Sequence, residues 1–327
     1  MAARKTKGQS HPQAKAKRVR RKAEAPAGVN DFWLVAKLEE LTPAQLREGA
    51  AALDKMADDE MKSERFGESA SLRQRTIALT DVCLSSGGEQ PFMERLLHKQ
   101  LLHGAAANCR IALAVPEASG SDAVSHYTQG VTYLDRLRSL STELPEWAEI
   151  LYERLLREGG RACDRLARAG LENDAPVSVE WWSKGASMLE RLFARYPEQD
   201  RWVELLDERL LRECGQACDR LARAALESDA AVSVEWWSKG ASMLERLFTR
   251  YPEQDRWVEL LYERLLRECG QTCGRLAQAE TENDTAAPVD CRSTGASMLE
   301  QLFARFPGQA RWVEMLNERL LQGRVSV

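Results

Sequence analysis

The 327-residue sequence predicts an all-α fold: an α-solenoid of stacked antiparallel helical hairpins, preceded by a disordered basic tail. Three observations carry that expectation. Marker residues recur at a fixed spacing of 55. Each copy holds two stretches with helical apolar periodicity, and no stretch alternates apolar and polar residues over a useful strand length.

The period is read from Gly130, Gly185, Gly240 and Gly295, and equally from Trp147, Trp202, Trp257 and Trp312. Leu134, Leu189, Leu244 and Leu299 keep the same register, as do the Glu-Arg-Leu-Leu blocks that begin at Glu153, Glu208, Glu263 and Glu318. A fainter copy lies upstream at an offset of 54, where Leu97, Leu101, Leu102 and Cys109 match Leu151, Leu155, Leu156 and Cys163. The organisation that follows is a tail over 1–30, diverged N-terminal helical hairpins over 31–115, and four repeats over 116–327, the last one truncated.

The tail is the first element. Residues 1–28 carry nine Lys and Arg against Glu24, a net of +8, which leaves −12 on the remainder of a chain whose total is −4. Arg4 and Lys5, a ten-residue spacer, then the run from Ala16 that holds Lys17, Arg18 and Arg20, with Arg21 and Lys22 behind it, fit a bipartite nuclear localisation pattern. Such runs also bind phosphate backbones through counterion release. A solvated tail facing its own acidic body is the plain alternative. No aromatic residue interleaves with these cations, which argues against base stacking.

Next come the N-terminal hairpins. Thr42 is placed to cap a helix, Pro43 suits its first position, and Gln45 completes a capping box. In the repeats, the longer helix is typified by 201–224. Trp202, Val203, Leu206, Leu210, Leu211, Cys214, Ala217, Cys218 and Leu221 cover about half of its circumference at 100° per residue. Glu208 and Arg212 form an i,i+4 pair worth about 0.2–0.5 kcal/mol. So broad an apolar arc suits a helix with neighbours on two sides. The shorter helix, about 179–196, stops before Pro197, whose ring opposes continuation.

Within that shorter helix Gly185, Leu189, Leu192 and Pro197 stand at +4, +7 and +12 from the glycine. This spacing resembles the second helix of a tetratricopeptide repeat, and Trp202, five residues past the proline, resembles the aromatic near the start of that family's first helix. The resemblance spans about 91–327. It departs from the family in length, 55 residues against about 34. It implies a superhelical scaffold with a concave partner-binding face and no catalysis of its own.

Candidate contact residues follow from helical angles. With Leu189 at zero, Trp182 lies about 20° away and belongs to the core, whereas Trp181 lies about 80° to the other side. Trp181 shares that margin with Lys184, Met188 and Arg195, and the stripe recurs as Trp236, Lys239, Met243 and Arg250. It is read either as a partner contact or as packing between repeats. A second candidate position holds Tyr152, Asp207, Tyr262 and Asn317, polar and variable inside an apolar arc. It is either a semi-exposed groove that meets a partner or the seat of a hydrogen bond between repeats.

Several classes of chemistry are argued against. The eight cysteines include the C-x-x-x-C pairs Cys214/Cys218 and Cys269/Cys273, which fall on the apolar arc and read as small buried hydrophobes rather than zinc ligands. Of the four histidines, His98 and His103 stand five apart, a poor ligand spacing on a helix. No Gly-rich phosphate loop, H-E-x-x-H or G-x-S-x-G is present. The expectation is a non-enzyme without metal or cofactor that binds one or more proteins or peptides. The alternative is a nucleic-acid-associated or nuclear factor acting through its tail. No apolar run approaches the roughly 18 residues that would cross a bilayer. The absence of an apolar signal region points to a cytoplasmic location, with the nucleus or nucleoid as the alternative through the tail. A secreted effector fits the same residues.

Overall fold

The computed structural model describes residues 33–34, 36–87, 90–116, 119–141, 143–171, 175–283 and 291–309. The basic tail from Arg4 to Lys22, Trp312 and Asn317 lie outside the described residues. Among the described residues ten α-helices follow one another: α1 Pro43–Lys62, α2 Phe66–Ser85, α3 Gln90–Ala114, α4 Gly120–Leu140, α5 Glu146–Gly170, α6 Ala175–Arg195, α7 Arg201–Ala225, α8 Ala230–Arg250, α9 Arg256–Asn283 and α10 Cys291–Arg305. No strand occurs among the described residues.

Local chemistry sets the helix starts. The Thr42 backbone N–H donates to Gln45 Oε1 at 2.9 Å and the Gln45 N–H donates back to Thr42 Oγ1 at 3.4 Å, so the predicted capping box forms ahead of Pro43. Asp229 accepts the N–H groups of Ala231 and Val232 at 3.0 and 3.1 Å and opens α8. The shorter helix α6 starts at Ala175, four residues earlier than apolar periodicity alone suggested.

Connections are short, so consecutive helices run antiparallel and each packs on the next from α1 to α10. The long helices α3, α5, α7 and α9 also touch one another in sequence, as do α8 and α10. Long helices therefore form one layer and short helices the other, which makes the fold an α-solenoid of stacked hairpins.

The core lies between the layers. Trp182, Leu189 and Leu192 of α6 are completely buried, and Trp237, Leu244 and Leu247 of α8 occupy the same places one repeat later. Gly185 permits a close approach. A Cβ added there would stand 2.9 Å from Cys163 Cβ, 3.3 Å from the Gly160 carbonyl oxygen and 3.3 Å from Leu210 Cδ1, touching the long helices on both sides. All eight cysteines are buried, and Cys214 and Cys269 donate their S–H groups to the carbonyls of Val179 and Val234 at 3.8 Å. A separate N-terminal cluster gathers Trp33, Leu46, Ala50, Leu53 and Leu79, with the Trp33 ring lying over Gly49.

Candidate functional site

The stripe predicted on the short helices divides in two. Met188 and Met243 are buried, and Met188 Sδ lies over Gly159, so the methionines pack the core instead of facing outward. Arg195 spans to α5, where its Nε and Nη2 donate to Glu149 at 2.9 and 2.5 Å. Arg250 donates to the buried carboxylate of Asp207 and stacks 4.8 Å from the Phe193 ring centroid. What remains at the surface is a half-buried pair in each of the two middle repeats, Trp181 with Lys184 Nζ 5.6 Å from its ring and Trp236 with Lys239 Nζ 5.5 Å away. Lys239 and Glu235 of α8 face Thr294 of α10 across a groove of about 370 Å³.

The variable position is not a groove. Tyr152, Asp207 and Tyr262 are all buried, at 4%, 0% and 3% exposure. Tyr152 donates its hydroxyl to Asp135 at 2.8 Å and accepts from Arg191 at 2.6 Å. Asp207 accepts from Arg250 and, at 3.2 Å, from the Tyr251 hydroxyl. Tyr262 packs its ring 5.4 Å from Phe248 and 6.3 Å from Phe306. Tyr152 and Asp207 thus meet the next short helix through different polar pairings, and Tyr262 adds a hydroxyl donated to Gln301 at 3.5 Å, the hydrogen-bonded alternative of the two sequence readings. Burial pushes the Asp207 carboxyl upward, while Arg250 and Tyr251 pull it back.

The exposed apolar residues lie elsewhere. Trp147, Trp202 and Trp257 open the long helices and remain 46%, 40% and 43% exposed. One turn later Ile150, Leu205 and Leu260 are 60%, 49% and 49% exposed. The helical wheel assigns Trp202 to the buried arc. The structure instead leaves it at the outer edge of the long-helix layer, because neighbouring long helices are staggered along their axes. The first turn of α7 meets the C-terminal half of α5, and only one side of the indole is covered.

For these three tryptophans that cover is a cation or an imidazole from the preceding long helix. Arg157 and Arg161 stand 5.8 and 5.9 Å from the Trp202 centroid, Arg212 stands 5.9 Å from Trp257, and His103 meets Trp147 edge-on at 6.5 Å. Burial and the nearby Arg73 hold His103 below its ordinary pKa, so its ring is the neutral member of the series. The Trp202 indole N–H donates to Asp200 at 3.3 Å, fixing the ring on the first turn. Between α5 and α7 this arrangement leaves an open groove of about 530 Å³, lined by Arg161, Trp202, Leu205, Leu206 and Arg209.

The walls of the groove differ in charge state. Arg209 is engaged, donating to Asp164 at 3.3 and 2.6 Å, and that carboxylate is almost fully buried. Arg161 has no carboxylate partner among the described residues. The arrangement offers an apolar floor beside a cation, which suits binding. Sequence periodicity marked the tryptophans as recurrent but not as exposed. The usable signal was the pair of arginines seven and ten residues after each tryptophan, Arg154 and Arg157, Arg209 and Arg212, Arg264 and Arg267.

Among the described residues no group of three or more His, Cys, Asp or Glu is placed to hold a metal ion, and no helix is long and apolar enough to cross a membrane.

No protein-family model matches the chain, and no curated protein matches it. Among solved structures it is similar to the de novo designed helical repeat protein DHR64, at 17% identity and a TM-score of 0.32 over 72% of this chain and 97% of that one. It is similar to the DHF58 filament at 18% identity and a TM-score of 0.32, covering 74% and 99%. It is also similar to Nro1, described as a hypoxic regulator of sterol synthesis and a nuclear import adaptor, at 12% identity and a TM-score of 0.24, covering 90% of each chain. These likenesses concern the helical-repeat fold alone.

Proposed function

We propose that the chain is a non-enzymatic scaffold that binds a partner protein or peptide on the long-helix surface of its solenoid. The observation that carries this reading is the recurring exposed pair Trp147–Ile150, Trp202–Leu205 and Trp257–Leu260. Scattered single apolar residues on a surface need no explanation, but large ones repeated in register mark an interaction surface. Tryptophans flanked by arginines are the residue types that dominate the energetics of protein interfaces. The 55-residue unit is read as a lengthened tetratricopeptide-like hairpin, in which extra turns of the long helix present this outer edge. We assign the protein to the cytoplasm. The tail of residues 1–28 is a second contact or a targeting signal for the nucleus or nucleoid.

The test is selection of ligands from a displayed peptide library with the full-length chain, followed by binding to the double variant Trp202→Ser, Leu205→Ser. Loss of binding for the selected peptides, with unchanged helical circular dichroism, supports the reading. Equal binding by parent and variant overturns it. The role of the tail is read from a salt titration of duplex DNA binding with and without residues 1–28. A steep slope that truncation abolishes would assign nucleic-acid contact to the tail.

A further inference from the structure

On α5, Trp147, Ile150, Arg154, Arg157, Arg161 and Arg165 follow one another at intervals of three and four residues, so they share one stripe about 80° wide. No acid interrupts that stripe. Arginines three and four apart on a helix repel each other, so the column disfavours its own helix unless something negative lies against it. Arg154, Arg161 and Arg165 are exposed and have no carboxylate partner among the described residues. Arg157 is engaged by Glu153 at 3.6 Å and by Glu158 at 4.0 Å, at the edge of the stripe. The column thins along the solenoid, since Gln216 of α7 and Gln271 of α9 stand where α5 has Arg161.

We propose that the groove between α5 and α7 binds an acidic peptide segment carrying a bulky apolar side chain, with Arg161 as the residue that selects it. This rests on the scaffold reading above. The apolar side chain enters against Trp202 and Leu205 over the buried Leu206, and the flanking carboxylates pair with Arg161 and Arg154. Arg209 contributes less charge, because it is already committed to Asp164. A nucleic acid fits the same cations but is disfavoured on two counts. Residues outside the tail carry −12, which repels a long phosphate backbone, and the covered side of the Trp202 ring is occupied by Arg157 and Arg161. A short peptide with a few acids meets little of that repulsion.

The test uses the full-length chain and fluorescence anisotropy with three labelled probes: a dodecapeptide with Leu-Phe flanked by three Asp or Glu on each side, the same peptide with Lys for every acid, and a twenty-residue oligothymidylate. The acidic peptide binds, the basic one does not, and Arg161→Gln weakens the acidic peptide about tenfold, as loss of one charge-assisted contact does. Gln216→Arg completes the same stripe beside Trp257 and raises the stoichiometry from one peptide to two. Both substitutions lie at the surface, and circular dichroism checks that the fold persists. The proposal is overturned by any of three results: Arg161→Gln binding like the parent, the basic peptide binding as tightly as the acidic one, or the oligothymidylate displacing the acidic peptide through Arg161. A basic or neutral peptide that still depends on Trp202 sinks this selectivity while leaving the scaffold reading intact.

Discussion

Arg209 of α7 reaches back across the repeat boundary and donates to the buried carboxylate of Asp164 on α5 at 2.6 Å. Arg264 does the same to Asp219 at 2.5 Å one repeat later. Each aspartate is also held from its own helix, by Arg168 and Arg223. The spacing of each cross-repeat pair is 45 residues, ten short of the sequence period. Neighbouring long helices are therefore staggered along their axes, so that equivalent residues of successive repeats do not face each other. The same 45-residue offset separates Arg157 from Trp202 and Arg212 from Trp257, so one stagger both locks the stack and caps the tryptophans.

The clamp predicts asymmetric mutational costs. Arg209→Ala leaves Asp164 paired with Arg168 and costs about 1 kcal/mol, in the range of a part-exposed ion pair. Removing both arginines strands a buried carboxylate and costs about 3–5 kcal/mol. Urea denaturation of the two variants distinguishes them, and equal losses would refute the clamp.

Glycines in the array separate into crowded and open sites. A Cβ at Gly240 would lie 2.8 Å from Cys218 Cβ and 3.3 Å from the Gly215 carbonyl oxygen, atoms that cannot move without the helices. Gly240→Ala therefore lowers stability by up to about 2 kcal/mol, overpacking outweighing better helix propensity. Gly274 has nothing within 4 Å of the same position, so Gly274→Ala raises stability by about 0.5–1 kcal/mol. Thermal denaturation of the pair should shift in opposite directions.

Acid sensitivity is expected from Glu149. Hydrogen bonding to Arg195 comes first, then Tyr196 and the charge of Arg138, and together these hold its pKa at about 2, against an unfolded value of 4.5. A depressed carboxyl stabilises the fold fully above pH 4.5, and that contribution is lost as pH falls through about 2. Glu149→Gln should be less stable than the parent at pH 6, and the gap should close between pH 4.5 and 2. A constant gap across that window would show that Glu149 is not the titrating group.

Thiol chemistry should be silent in the native state. All eight cysteines are buried, and burial raises the Cys163 thiol to about 12, far above the pH at which thiolate-directed reagents act. An aromatic disulfide reagent at pH 8 should label none of the thiols in native protein and all eight after denaturation in guanidinium. Rapid labelling without denaturant would contradict this packing.

The sequence by itself determined the helices, their order, their apolar faces and the interval at which they recur. The 3.6-residue period locates a residue around its own helix axis, and this sufficed for Trp182, Leu189, Gly185, the buried cysteines and the Thr42 cap. It does not locate a residue along the axis of its neighbour. That needs the stagger between helices, which depends on how side chains far apart in the chain interdigitate. For this reason Trp202, apolar by angle, proved exposed at an overhanging end, while Asp207, polar by type, proved buried against Arg250 and Tyr251. Met188 and Arg195 look like surface by angle and are consumed by Gly159 and Glu149. Angle is a property of one helix, whereas exposure belongs to a pair, and only the tertiary structure decides it.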